Sequence, residues 1–139
     1  MSLDIYFYKK DFDIQKSRID IATTYTKLQT IKDELEQLED DFEEARLSSL
    51  NITHNLNNMA KAVGQYEVLW RPEEIGITTA SQMIPFLEKG LEELRANPDK
   101  YKAFNPPNGF GNYEDFAGFC NSVLHNCYEY PDAVIEASA

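Results

Sequence analysis

The residues best suited to do chemistry lie between positions 51 and 58. This segment supplies four side-chain amides, a hydroxyl and an imidazole at the start of a helical pattern. His54 has the chemistry of a general base, because an imidazole titrates near neutral pH. With Asn55 it would instead bind a ligand, since the N–H groups at a helix N-terminus favour anions. The plainer interpretation is that Thr53 or Asn51 caps the helix and His54 is hydrogen-bonded there, because the spacing identifies no partner nucleophile.

Two other segments carry groups suited to binding. The loop 105–113 contains two glycines, which tolerate positive φ, so this loop either lines a pocket or only turns the chain. It lacks the GxxxxGK(S/T) pattern and any lysine, so it is not a phosphate loop. Trp70 is expected to be a buried anchor, or with Arg71 a stacking and carboxylate-pairing site if the two are exposed.

A metal site is not expected. Cys120, His125 and Cys127 form no CxxC pair, and five residues along a helix turn His125 away from Cys120. On a helix the two cysteines would be about 10 Å apart, which is too far for a disulfide. We therefore expect both in the core of a protein from a reducing cytosol, with no metal and no cofactor.

An acidic run occupies residues 33–44, where eight of twelve residues are Asp or Glu and none is basic. On a helix this places one negative charge about every 2 Å of axis, close to the value of about 1.7 Å in duplex DNA. Such a rod suits a partner that evolved to bind nucleic acid. The alternative is a solvated helix face, the usual reason for a charge run. The acidic residues are Asp33, Glu34, Glu36, Glu39, Asp40, Asp41, Glu43 and Glu44.

A long helix must carry this run. Between Ile14 and about Leu47 there is no proline or glycine, and apolar residues recur at the a and d positions of a heptad repeat. We call these residues the apolar seam, and they are Ile21, Leu28, Ile31, Leu35, Leu38, Phe42 and Ala45. A helix of about 45 Å with such a seam must pack on its own domain or on another copy.

The charges beside the seam bear on that choice. A parallel, in-register dimer would place two like-charged pairs and one opposite pair across the interface, so two of the three repel. These pairs are Lys27 with Lys32, Glu34 with Glu39, and Asp41 with Arg46. We therefore expect antiparallel pairing or packing on the globular part, with oligomerisation through Leu28, Ile31, Leu35, Leu38 and Phe42.

The remaining elements predict an α+β fold. Leu3–Lys9 is rich in Tyr, Phe and Ile and is predicted to be a strand, and Ala133–Ala137 is a shorter strand candidate. We expect these terminal segments to form a small two- or three-stranded sheet, packed with three to four helices and joined to a protruding, coiled-coil-like helix. The other helical patterns cover residues 52–63, 79–97, one turn at 101–104, and 113–128.

The composition limits the class of protein. The chain has 139 residues, 24 acidic against 13 basic, and a net charge of −11. This balance opposes direct nucleic-acid binding, which needs clustered Lys and Arg. The first residues contain no signal-peptide pattern and nothing approaches the length of a membrane span, so we expect a cytoplasmic protein without membrane contact.

Several blocks of the sequence resemble a family of small proteins from bacteria and their phages. The blocks are Met1–Ile5, Asn51–Leu56 with Met59 and Ala60, Tyr66 with Leu69–Pro72, Ile84–Leu91, and Asn105–Pro106 with Asn108–Gly111 and Tyr113. The family tends to carry Trp where Phe110 stands. A chain of 139 residues is expected to form a single domain, 1–139. The resemblance implies that residues 12–48 are a long acidic helical insertion in it, and that the globular part is 49–139 with 1–9. It implies no activity, but it concentrates polar residues into one pocket of Thr53, His54, Asn55, Trp70, Arg71, Asn108 and Tyr113.

Three functions follow as hypotheses. The first is a non-enzymatic phage or mobile-element protein that occupies a basic surface of a host nuclease or other nucleic-acid-binding protein in the host cytosol, such as an anti-CRISPR or other counter-defence inhibitor. The second is a small-molecule binder or hydrolase with a pocket around His54, Asn55, Arg71 and the loop 108–113. The third is a structural homodimer.

Overall fold

The computed structural model describes residues 1–138, and the chain divides into two compact units, residues 1–46 and the part that begins at Leu47, which we call the body. Within the described residues the regular structure is helical. The α-helices are α1 (Ile14–Glu44), α2 (Asn57–Ala62), α3 (Tyr66–Trp70), α4 (Ala80–Ala96), α5 (Pro98–Lys102) and α6 (Tyr113–Glu129), and the 3-10 turns are His54–Leu56 and Pro72–Ile75.

The prediction of an α+β fold with a two- or three-stranded sheet is wrong. Residues 1–138 contain no β-strand, and Leu3–Lys9 makes no ladder. The segment Ala133–Ala137 forms one antiparallel bridge, between Val134 and Thr79. Alternation and β-propensity describe a segment that suits a sheet, but a strand exists only where a partner backbone is in reach.

The C-terminal segment has another use, which explains its backbone pairing. The first N–H groups of an α-helix have no partner within the helix. In α4 the N–H of Ala80 donates to the carbonyl of Ala133 at 2.9 Å, and the N–H of Ser81 donates to that of Pro131 at 2.8 Å. The segment therefore caps a helix instead of extending a sheet.

The first unit is built around α1, the uninterrupted helix that the sequence predicts. It has 31 residues and begins at Ile14, where the Asp13 side chain accepts a hydrogen bond from the N–H of Lys16 at 2.9 Å. It ends at Glu44, three residues before the predicted end. No residue of α1 is buried.

The body has a conventional core in which α4 and α6 are the principal pair of helices. Leu87, Leu91 and Leu94 on α4 and Phe116 and Cys120 on α6 are almost fully buried, as their helical spacing predicts. Each of the buried Leu and Phe side chains stabilises the folded state by about 1.5–3 kcal/mol. This core fixes the ends of α6 and the segments that carry the polar residues of interest.

Two helix boundaries in the body follow from local signals. After α2, Gly64 adopts a φ of 76°, and the N–H of Gln65 donates to the carbonyl of Ala60 at 2.8 Å, which is a Schellman-type end. Before α4, the side chain of Gln82 accepts from the N–H of Thr79 at 3.1 Å, as a capping box predicts. The helix thus begins at Ala80 and continues through Pro85.

The remaining helical predictions hold with small shifts. The single turn expected at 101–104 is α5, which begins earlier, at Pro98, because proline suits the first position of a helix. The last helix begins at Tyr113 as predicted and ends at Glu129, one residue later than expected. Phe119 and Val123 on this helix are half-buried.

Candidate functional site

The acidic run lies on the C-terminal part of α1, and all eight of its carboxylates are exposed. Their contacts are local. Glu43 pairs with Arg46 at 3.2 Å, Asp41 accepts a hydrogen bond from Gln37 at 2.8 Å, and Asp33 accepts a long one of 3.4 Å from Gln29. Among residues 1–138 the other five acidic side chains of the run have no ion pair or hydrogen bond, and they are Glu34, Glu36, Glu39, Asp40 and Glu44.

The apolar seam of α1 is also exposed. Its large side chains keep between 52% and 70% of their surface accessible, with Leu28 the least exposed and Ile21 the most. Contiguous exposed apolar surface is typical of interaction surfaces. Thus α1 exposes two distinct features, the seam and the acidic run.

The segment 51–58 shows its capping role directly. Thr53 precedes the 3-10 turn His54–Leu56, and its hydroxyl accepts a hydrogen bond from the N–H of Asn55 at 3.3 Å. The turn leads into α2. Of the two capping residues proposed from the sequence, Thr53 rather than Asn51 is therefore the one used.

His54 is held by Trp70 from α3. The indole Nε1–H of Trp70 donates to the Nδ1 of His54 at 3.2 Å, and the indole is 8% exposed. Since an indole only donates, a neutral His54 carries its proton on Nε2. Trp70 in turn stacks on Tyr66 with ring centroids 5.5 Å apart, and the ammonium of Lys61 lies 4.7 Å from the Tyr66 ring. Trp70 is therefore the buried anchor expected, with a second role as a hydrogen-bond donor.

A polar groove of about 580 Å³ lies beside His54. It is formed where the start of α2 meets the segment that follows α5. Its lining is rich in side-chain amides, which both donate and accept hydrogen bonds. The lining residues are His54, Asn55, Asn57, Asn58, Ala103, Phe104, Asn105, Pro106, Pro107 and Asn108.

The groove unites part of the predicted pocket. His54, Asn55 and Asn108 all line it, although the first two and the third are separated by more than fifty residues of sequence. Arg71 is exposed and is not among the lining residues. Trp70 reaches the groove only through its hydrogen bond to His54.

The loop 105–113 is fixed by structural hydrogen bonds. Tyr113 donates its hydroxyl to the carbonyl of Leu94 at 2.5 Å and its N–H to the Oδ1 of Asn105 at 2.8 Å, so it is an anchor rather than a lining residue. Asn108 accepts from the N–H of Phe110 at 3.0 Å. At Gly111, which has a φ of 91°, a Cβ would lie 2.8 Å from the methyl group of Thr53, so only glycine lets the loop approach the 53–55 segment this closely.

The sequence analysis missed part of the groove. It noted the amides of Asn57 and Asn58 without assigning them to a pocket, and it gave no binding role to Ala103 or Phe104. The signal available in the sequence for this part of the groove was the concentration of asparagines in the loop 105–113. The juxtaposition itself depends on how α5 and α6 pack.

The cysteines lie in the core, as expected. Cys120 and Cys127 are free thiols on α6, while His125 between them is exposed. Burial raises the pKa of Cys120 to about 12 and raises the pKa of Cys127 as well. Thiols that stay protonated are poor nucleophiles, so their position fits packing.

The search for wider similarity gave no match. The chain matches no protein-family model, no curated protein and no solved structure. Of the helices in residues 1–138, none has the length and apolar character needed to cross a bilayer. Function is therefore inferred from residues and geometry.

Proposed function

We propose that the protein is a non-enzymatic binding protein whose acidic run occupies a basic surface of a nucleic-acid-binding host protein in the host cytosol. An inhibitor of a nuclease, of anti-CRISPR or another counter-defence type, is the concrete form. One observation carries the proposal. Eight exposed carboxylates lie within twelve residues of one helix, and within the described residues only Glu43 among them has an ion-pair partner.

The spacing of the charges along α1 indicates the kind of protein surface that the acidic run would bind. A charge about every 2 Å approaches that of duplex DNA, so a groove lined with Lys and Arg for phosphates would attract α1. Opposite charges speed association, and salt within the physiological range screens them. The resemblance to small phage proteins favours the counter-defence form of this function.

The test is inhibition of a purified RNA-guided nuclease that cleaves duplex DNA, measured at low and high salt. The test variant replaces all eight acidic residues of 33–44 with the matching amides. We expect wild-type protein to inhibit cleavage more strongly at low salt and the variant to lose inhibition.

A matched control separates the acidic run from net charge. The control replaces eight exposed acidic residues of the body with amides, which changes the net charge by the same amount, and it should inhibit like the wild type. These residues are Glu67, Glu73, Glu74, Glu92, Asp99, Glu129, Asp132 and Glu136. Equal loss in both variants, or no inhibition across a panel of such nucleases, would contradict the proposal.

The polar groove favours a second candidate function, binding of a neutral polar ligand. Five amides and one imidazole line it, and this set is suited to hydroxyl- and amide-bearing molecules. Hydrolysis is the further form of this candidate, with a water activated by His54.

Trp70 reports on this candidate directly. It is the one tryptophan of the chain and it donates to His54. A screen of sugars, nucleosides and small amides should change its fluorescence, and Asn55→Ala should remove the response while Arg71→Ala, outside the groove, leaves it. No response from any compound would count against the groove as a site.

A further inference from the structure

We propose that the protein forms a dimer in which the apolar seam of α1 packs antiparallel on α1 of a second copy, with Leu28 of each chain beside Ile31 of the other. The seam is fully formed and its large side chains are at least half exposed. A heptad repeat with apolar a and d positions is the pattern that buries such a seam in a partner helix.

The whole seam is aligned in the antiparallel register in which the two α1 helices overlap along their full length. In antiparallel pairs each a residue faces a d residue of the other helix, and placing Leu28 against Ile31 brings the two ends of α1 level with each other. The same register pairs Ile21 with Leu38. It also pairs Thr24 with Leu35 and Ser17 with Phe42, so the two polar d positions of the N-terminal half face large apolar residues.

The flanking charges favour this register. Of the four pairs of flanking residues within α1, two attract, one repels and one is neutral. They are Lys27 with Glu34, Arg18 with Glu39, Asp20 with Asp41, and Tyr25 with Lys32. The parallel arrangement reverses the balance, because it opposes Lys27 to Lys32 and Glu34 to Glu39.

Shifting the antiparallel register by one heptad is less favourable in either direction. In one direction Lys32 and Glu34 each face their own copy, which offsets the attraction between Lys27 and Asp41. In the other direction Lys27 faces itself and Asp20 faces Glu34. Charge therefore selects one of the three registers that keep a opposite d over most of the helix.

The helix dipole supports the same geometry. Negative charge is unfavourable near the C-terminal end of a helix, where the dipole is already negative. In α1 the residues 31–44 hold eight acidic and one basic side chain, whereas residues 14–30 hold three basic and one acidic. An antiparallel second copy places its more basic half, and its positive dipole end, beside each acidic run.

The proposed dimer leaves part of the acidic run accessible, and it does not rest on the proposed function. The acidic residues at outward b, c and f positions stay free of the interface. They are Asp33, Glu36, Asp40, Glu43 and Glu44. Replacing only these five residues with amides leaves the flanking pairs of the dimer intact, so loss of nuclease inhibition in that variant is distinguishable from loss of the dimer.

Charge-reversal variants of the full chain distinguish the geometries by the sign of their effect. In the antiparallel dimer, Glu34→Lys places two cations opposite each other at both symmetric contacts, so the dimer should weaken by about tenfold. In a parallel dimer the same change would create an attractive contact to Glu39 and strengthen it. Lys27→Glu combined with Glu34→Lys restores the antiparallel pair, so affinity should recover. Glu36→Lys, an outward b position with the same charge change, should not weaken the dimer.

The measurement is the molecular mass by light scattering and analytical ultracentrifugation across protein concentrations. Wild type should approach twice the chain mass of 16.0 kDa. A mass of one chain at all concentrations would overturn the proposal and favour packing of α1 on its own body. Strengthening by Glu34→Lys would overturn the antiparallel geometry.

Disulfide trapping checks the register independently. Mixing Thr24→Cys protein with affinity-tagged Leu35→Cys protein under mild oxidation should give a cross-linked species of mixed mass, because these positions face each other. Neither variant alone should cross-link, since residues 24 and 35 do not face their own copies. The native cysteines are buried and free, so they do not compete. Cross-linking of Thr24→Cys with itself would indicate the parallel dimer and overturn the proposal.

Discussion

The two units of this chain keep their structure by different means. Among the described residues of the body sixteen hydrophobic side chains are buried, whereas α1 buries none of its residues. The polar contacts differ in the same way. Those within α1 join residues three or four apart, but in the body Asn126 donates to Ser48, Arg95 donates to Asn121, and Tyr113 reaches Leu94. The body carries its own core, while the apolar face of α1 stays exposed.

The same kind of amphipathic helix pattern therefore has different outcomes in the two units. Apolar residues at helical spacing in α4 and α6 became a core, and apolar residues at heptad spacing in α1 remained exposed. An amphipathic pattern thus specifies a face that must be covered, and it does not specify what covers it.

Truncating the core should have the greatest effect on stability. Phe116→Ala removes a fully buried ring, so we expect the free energy of unfolding of the body to fall by about 3–5 kcal/mol in urea titration. Leu35→Ala in the seam should change it by less than about 0.5 kcal/mol. Equal losses would show that the two units are one cooperative core.

Glycine positions offer a test with opposite signs inside the body. A Cβ at Gly90 would lie 2.5 Å from the Nε2 of Gln65, which is buried and donates to the carbonyl of Phe86 at 2.9 Å. We expect Gly90→Ala to destabilise by about 1–3 kcal/mol. Gly118 on α6 meets nothing within 4 Å, so Gly118→Ala should stabilise by about 0.5–1 kcal/mol. Thermal unfolding compares the two, and destabilisation by both would contradict the contact with Gln65.

Alkaline pH should weaken the body through its buried thiols. The pKa of Cys120 is about 12 when folded, above its ordinary value of 9.0, so between these pH values the unfolded chain releases a proton that the folded chain keeps. Stability should therefore be unaffected below pH 9 and fall above it, by about 1.4 kcal/mol per pH unit from this group. Urea midpoints from pH 8 to 11 measure the slope, which should be shallower in Cys120→Ala. An identical slope in that variant would assign the loss to other groups.

Removing one polar contact gives the smallest change, and again the two units should differ. His54→Ala leaves the indole N–H of Trp70 without its acceptor, so we expect a loss of about 1 kcal/mol and a change in Trp70 fluorescence. Lys16→Ala, which removes the exposed pair with Asp20 at 2.9 Å, should cost no more than about 0.5 kcal/mol. If chemical denaturation showed a larger loss of unfolding free energy for Lys16→Ala than for His54→Ala, the contrast between local and long-range contacts would be wrong.

The helices were predictable because their signals lie within a few residues of one another. The absence of proline and glycine after Ile14, the Thr79–Gln82 cap and the stop at Gly64 each act locally. The predicted strand at Leu3–Lys9 failed because a strand needs a partner, and no local pattern supplies one. The cap on α4 from Ala133 and Pro131 was hidden for the same reason.

The candidate sites also differ in how far the sequence alone predicts them. The amino-acid order is sufficient to place the acidic run and the seam on one helix, because a repeat of 3.5 or 3.6 residues fixes which side chains share a face. The groove needed the folded body, since the contacts of α6 with α2 and α5 bring Asn108 to His54. The contact of α3 with α2 puts Trp70 within 3.2 Å of that imidazole, and Arg71 stays outside the groove. Periodicity is a property of the local sequence, whereas contacts between distant segments depend on which core side chains pack against one another in the folded protein.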